Sequence, residues 1–142
     1  MNVQLLRAGA TVPTYGTEFS AGADLYACLE SPVIIQPGQT GAIPTGIAIE
    51  VPVGYAGLVY ARSGMATKRD LAPANKVGVI DSDYRGELLV MLHNHGSSPQ
   101  TICHGERVAQ LVITPVLTPM FTVVDTLSQT QRGSGGFGST GA

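Results

Sequence analysis

The sequence predicts an all-β domain with one short helix, and three observations carry that prediction. Short β-branched runs recur along the chain, Gly and Pro punctuate them closely, and a single stretch joins helix formers without either breaker. The first run, Val3 to Leu6, reads as a strand, and Asp24 to Leu29 follows the small residues of AGADL as a second. Val33 to Ile35 ends at the Pro37-Gly38 turn, and Gln39 to Glu50 reads as one long strand up to the turn of Pro52 through Gly54. Tyr55 to Ala61 is next. Met65 to Asp70 then offers Ala, Lys and Arg, enough for one or two helical turns, and Pro73 stops it. Lys76 to Ile80 and Gly86 to Asn94 flank an Asp-rich tip. Turns at Gly96 through Pro99 and at His104-Gly105 bound the strand Gln100 to Cys103, and Arg107 to Pro115 and Phe121 to Val124 complete the set. Strands this short and this numerous make a sandwich, barrel or jelly roll.

Composition narrows the function classes. The 142 residues are one domain's worth, with no internal repeat. Hydrophobic residues make up 44% and charged residues 13%, about half the usual share of roughly 25%. A domain with so few charges has trouble covering its own surface, which points to burial against copies of itself. A net charge of -2 with dispersed basic residues excludes a broad nucleic-acid surface, so an anionic ligand would need a few local arginines. The long uncharged stretches Ser31 to Ile49 and Val108 to Val124 are broken by Pro37, Pro44, Pro115 and Pro119, so neither reads as a membrane span. Cys28 and Cys103 stand far apart, which suits two reduced, buried thiols in a cytoplasmic protein, and no signal peptide is visible.

Several segments carry chemistry, each beside a plainer reading. GVIDSDYRGEL, from Gly78 to Leu88, is either an Asp-rich hairpin tip or a strand end that presents Asp81 to take a proton from water, with Tyr84 as a flat wall. ARSG, from Ala61 to Gly64, is a helix capped by Ser63 or a phosphate site built from Arg62 and the Ser63 hydroxyl. Asp24 either closes a turn or faces a metal-bound water. GERVAQL, from Gly105 to Leu111, brings Arg107 and Gln110 into a strand that reads as structural. His93 and His95 share a strand face but lack a third ligand at metal spacing, and with His104 they read as structural. Residues 132 to 142, RGSGGFGSTGA, form either a flexible coil or a segment that orders on a ligand. Gly133, Gly135 and Gly138 match the dinucleotide fingerprint G-x-G-x-x-G, but no helix can follow them.

In this order the segments AGADL, ARSG, GVIDSDYRGE, GERVAQL and RGSGGFGSTG resemble the five motifs of the trimeric deoxyuridine triphosphatase (dUTPase) family, over Ala21 to Gly141. The resemblance implies a distorted, β-clip-like jelly roll in residues 1 to 131 and a Gly-rich lid in residues 132 to 142. It also implies a homotrimer with active sites shared between subunits. The implied reaction hydrolyses dUTP to dUMP and pyrophosphate with Mg2+, which keeps uracil out of DNA and supplies dUMP for thymidylate synthesis. By matching position, Asp81 would deprotonate the water that attacks the α-phosphorus, and Tyr84 would exclude a ribose 2′-hydroxyl. Backbone groups of Gly78 and Val79 would pair with uracil in a pocket too narrow for the thymine methyl, with Asn75 facing it. Arg62, Ser63, Gly64 and Gln110 would bind the phosphates, and Asp24 would touch magnesium through water. Phe137 and Gly138 would cover the base while Arg132, Ser139 and Thr140 close over the γ-phosphate. Arg107 and Asp83 resemble structural ion-pair partners. Ala61 departs from the Gly or Pro of many members. The related dCTP deaminase family shares the fold, but its chains tend to be longer and lack the Phe-Gly-Ser-Thr tail. A non-catalytic trimeric jelly-roll module would not need Asp81, Tyr84 and that tail together.

Overall fold

The computed structural model describes residues 1–136. Its strands are β1 (Asn2–Leu5), β2 (Thr14–Tyr15), β3 (Ala23–Tyr26), β4 (Val33–Ile35), β5 (Thr40–Pro44), β6 (Ile47–Glu50) and β7 (Tyr55–Tyr60). Helix α1 (Ser63–Arg69) follows, then β8 (Leu71–Pro73), β9 (Gly78–Ile80), β10 (Leu89–Asn94), β11 (Gln100–Ile102) and β12 (Arg107–Pro115). The largest sheet runs β2-β3-β12-β7-β9, a second runs β5-β10-β8, and β1-β6 and β11-β4 form two-stranded pairs. Every pairing is antiparallel. This is the distorted jelly roll.

One core joins the sheets. Leu25, Ile35, Ile43, Ile47, Leu71, Leu92 and Ile102 are almost wholly buried in it, each contributing about 1.5–3 kcal/mol of burial. Strand β10 alternates cleanly: Val90, Leu92 and Asn94 point inward while Leu89 and Met91 point out. Asn94 is the polar member of that inward row, and it is fully paired. Its Nδ2 donates to the carbonyls of Ile35 (2.9 Å) and Ser98 (2.8 Å), and its Oδ1 accepts from the Gly96 N–H at 3.0 Å.

The structure departs from the sequence reading at several points. Gln39 to Glu50 is two strands, because Thr45 and Gly46 turn the chain between β5 and β6. Gly46 has φ +71°, and a Cβ there would lie 2.8 Å from Ala10 Cβ and 2.9 Å from Cys28 Sγ, so only glycine fits. Helix α1 begins two residues before Met65, and Asp70, in the left-handed region at φ 53°, ends it rather than Pro73. Pro73 sits in β8, a sheet edge where a missing N–H is tolerated. Phe121 to Val124 forms no strand and is exposed, with Phe121 at 98% and Val123 at 99%. Cys28 is buried as expected, whereas Cys103 is exposed. No helix of the described residues is long and apolar enough to cross a membrane.

Asn94→Ala removes the side-chain partner of the buried Ile35 carbonyl and of the part-buried Ser98 carbonyl. It should cost at least ~2 kcal/mol, read as an earlier midpoint in guanidinium unfolding with an unchanged slope.

Candidate functional site

Strand β12 builds the first half of the site. Its register sets Gln110 opposite Asp24 of β3 on one side and opposite Tyr60 of β7 on the other. In a regular strand Arg107, three residues before Gln110, would face the other way. A register shift between Arg107 and Ala109 inserts one extra residue and returns Arg107 to the face of Asp24.

The Asp24 carboxylate is held from both sides. Its Oδ1 accepts from Arg62 Nε at 2.6 Å and its Oδ2 from Arg107 Nη1 at 3.2 Å. Only 14% of the Asp24 side chain is exposed, against 25% for Arg62, so this pair is partly shielded from screening. Arg62 spends only its Nε on Asp24, and its two Nη groups have no protein partner among the described residues. Gln110 Nε2 donates to the Ala61 carbonyl at 2.8 Å, which fixes the turn that leads into Arg62. A Cβ at Gly22 would lie 2.7 Å from Gln110 Oε1, so the glycine of AGADL leaves room for that glutamine.

These residues line a cavity of about 360 Å³ whose wall includes Ser20, Gly22, Asp24, Arg62, Ser63, Arg107 and Gln110. Two guanidiniums against one carboxylate leave it net positive, and the free guanidinium nitrogens of Arg62 suit a bidentate oxyanion. The expected cap at Ser63 is not formed: Arg62 is the N-cap, with no side-chain cap hydrogen bond, and Ser63 is the first helical residue. The Ser63 hydroxyl therefore stays exposed at the cavity. Open space surrounds the Cα of Gly64, so a ligand can approach the backbone there.

Strand β9 builds the second half. It lies at the edge of the large sheet, paired with β7 alone, so its other side offers unpaired main-chain groups. Gly78 is buried and Val79 is 61% exposed. Asn75 lies beside Gly78, its Nδ2 3.3 Å from where a glycine Cβ would stand. Asp81 follows β9 directly, and the Tyr84 N–H donates to the Asp81 carbonyl at 3.2 Å to close the turn. Val79, Asp81, Tyr84 and Glu87 help line a cleft of about 170 Å³.

The two halves stand apart in one chain. Ile80 pairs with Gly57 near the start of β7, while Arg62 follows the end of that strand. Five residues of extended chain span about 17 Å. Asp81 and Arg62 of one chain therefore lie towards opposite ends of β7.

Arg107 is an ion-pair partner, but its pair lines the cavity, a role that residue spacing hid because the bulge was not legible. Asp83 takes part in no ion pair among the described residues. His93 Nδ1 lies 2.9 Å from Thr40 Oγ1, and its ring meets that of His95 edge-on. Among the described residues no group of three His, Cys, Asp or Glu could hold a metal ion. His104 Nδ1 accepts from the Leu29 N–H at 3.2 Å, as a structural histidine does. Arg132 Nε donates to the Gly135 carbonyl at 2.9 Å, within its own segment. Phe137, Gly138, Ser139 and Thr140 lie outside the described residues.

An isolated positive cavity of this kind should bind inorganic triphosphate. Calorimetry at low salt should find that Arg62→Gln weakens that binding about tenfold or more; an unchanged affinity removes Arg62 from the anion site.

Comparison with known proteins places the chain. A family model described as dUTPase matches residues 8–141. A deoxyuridine 5'-triphosphate nucleotidohydrolase of Desulfitobacterium hafniense is 53% identical over 131 residues, covering 92% of this chain and 87% of that protein. The protein of the same name from Burkholderia ambifaria is 50% identical over 131 residues, covering 92% and 88%. The solved structure of Staphylococcus bacteriophage 80alpha dUTPase with dUpNHpp matches with a TM-score of 0.91 at 30% identity, over 99% of this chain and 98% of that one. The dUTPase of phage phi11 of S. aureus matches with a TM-score of 0.83 at 26% identity, over 91% and 98%. With two separated half-sites on a distorted jelly roll, and a family match that spans nearly the whole chain, this protein belongs to the dUTPase family.

Proposed function

We propose that the chain hydrolyses dUTP to dUMP and pyrophosphate, by attack of water on the α-phosphorus, in a magnesium-dependent homotrimer with shared sites. The observation that carries this reading is the open-edged strand β9, with Asp81 at its end and Tyr84 beside it. Main-chain groups of Gly78 and Val79 on the free edge take the donor and acceptor edge of uracil. Asn75 borders that pocket, and its narrowness rejects the thymine methyl. Tyr84 stands under the deoxyribose and leaves no space for a 2′-hydroxyl. Asp81 orients a water and accepts its proton, a contribution of roughly 10²–10⁴-fold. Arg62, Ser63, Gly64 and Gln110 take the phosphates, offsetting the charge that builds on the departing pyrophosphate.

The donor set suits a metal carried in by the triphosphate rather than one held by protein. The anion cavity has one carboxylate, Asp24, and both its oxygens are engaged by arginines. A magnesium ion keeps waters and phosphate oxygens as its main ligands, so Asp24 would reach it through water. When bound, the ion would neutralise phosphate charge and make the α-phosphorus more open to attack.

The separation of the two halves along β7 supports assembly. If Asp81 and Arg62 of one chain cannot reach one triphosphate, a complete site takes its halves from different copies. The exposed Leu117, Met120, Phe121 and Val123 give the segment after β12 an apolar surface for a neighbouring copy. Residues 1–131 form the core of this reading, and residues 132–142 the lid. Phe137 and Gly138 cover uracil there, and Arg132, Ser139 and Thr140 close over the γ-phosphate.

Pyrophosphate release from dUTP, dTTP, dCTP and UTP tests the reaction. Release should be fast from dUTP alone and abolished by a chelator, whereas ammonia release from dCTP would favour a deaminase. Asp81→Asn should keep dUTP binding while kcat falls about 10²–10⁴-fold; a near-normal kcat removes Asp81 from the role of base.

Shared sites make a second prediction. Arg62→Gln and Asp81→Asn proteins, unfolded together and reassembled at equal ratio, should regain about a quarter of wild-type activity, because some sites receive both intact halves. Mixtures no more active than their parts would place both halves in one chain.

A further inference from the structure

Gly86 lacks a side chain for a reason its own backbone does not supply. Its φ lies outside the left-handed region that favours glycine. The neighbouring ring is what forbids one. A Cβ on Gly86 would stand 2.5 Å from Tyr84 Cζ and 3.0 Å from Cε2, with the phenol oxygen closer still. The edge of the Tyr84 ring therefore rests directly against the Cα of Gly86.

The tip of the same ring is tied down. Tyr84 Oη donates to the Glu87 carbonyl at 3.0 Å. Glu87 is itself anchored, because its Oε1 accepts from the Gly46 N–H at 2.7 Å and its Oε2 pairs with Arg7 at 2.5 Å. With 43% of Tyr84 exposed, the ring is pinned along one edge and at its tip, and its other side is open to the cleft.

We propose that Gly86 is a positioning residue for sugar selection, a seat that sets the depth of the Tyr84 ring, with the Glu87 carbonyl as its latch. The proposal rests on the reading of Tyr84 as the wall under the deoxyribose. A methyl group on the seat can be accommodated only if the ring moves, since the ring is the far end of a rotatable side chain and the facing backbone is not. The ring then shifts away from Gly86, into the space the sugar takes. A wall in the wrong place no longer distinguishes hydrogen from hydroxyl at the 2′ carbon, and selectivity falls for want of a fixed contact.

The test is the ratio of kcat/KM for dUTP to that for UTP, measured in the full-length assembled protein as a double-mutant cycle. A merely weakened fold would lower both rates together and leave the ratio alone. Tyr84→Ala should lower the ratio about tenfold or more, Gly86→Ala should lower it comparably, and the two together should lower it no further than Tyr84→Ala alone. Tyr84→Phe, which keeps the ring and removes the latch, should lower it by a smaller factor. If Gly86→Ala does not fold, adding Tyr84→Ala should restore the fold, because the colliding ring is gone; a double variant that stays unfolded overturns the seat. An unchanged ratio in Gly86→Ala, or an equal drop with and without Tyr84, also overturns it. An unchanged ratio in Tyr84→Ala itself removes the sugar-wall reading, and the seat with it.

Discussion

Strand β12 is paired along both sides, and the extra residue between Arg107 and Ala109 sets which of its side chains share a face with Asp24. Arg107 and Gln110 fall on one face because of that shift, and the pairing with β7 then carries the chain to Ala61 and Arg62 at the same end. The remaining edge of β7 holds β9, so the same stack of strands sets both the content of the anion cavity and its distance from Asp81. Without the bulge Arg107 would point away, and Asp24 would keep one guanidinium instead of two. The site is in this sense a consequence of register.

An acidic residue in an anion cavity looks counterproductive until the alternatives are compared. A guanidinium on a long flexible side chain costs up to about 2 kcal/mol of rotamer freedom when a ligand immobilises it. Asp24 holds Arg62 by its Nε and leaves the Nη groups outward, so the ordering is done before a ligand arrives. The cost is part of the cavity's positive charge, since the two arginines share one carboxylate. Preorganisation against raw attraction is a trade that favours selectivity among anions over indiscriminate binding.

Much of this was legible in the residues. The apolar run that follows Gly86 and the uninterrupted run of Arg107 to Pro115 expose their strands directly, and the second keeps its predicted bounds. Gly46 was harder: a glycine inside an apolar run is ambiguous until its contacts with Ala10 and Cys28, distant in sequence, are known. Phe121 to Val124 has strand composition but finds no strand partner among the described residues, and propensity alone cannot supply one. The segments that line the cavity and the cleft were singled out by their motifs. What they could not reveal was the bulge, the double hold on Asp24, and the close contact of the Tyr84 ring with Gly86. Each of these is a relation between atoms rather than a property of a residue type.

The free edge of β9 has a consequence for how this protein can change. On the proposed reading of the base by main-chain groups, a substitution at the exposed Val79 leaves the reading atoms in place, since all residues but proline present the same N–H and C=O. Base preference would thereby be buffered against point mutation at that position, while the proposed sugar wall and phosphate grip, Tyr84 and Arg62, would be open to it. Drift in such a lineage would erode rate and sugar discrimination long before it yielded a new base, and a change of base would require a slip in strand pairing rather than a substitution.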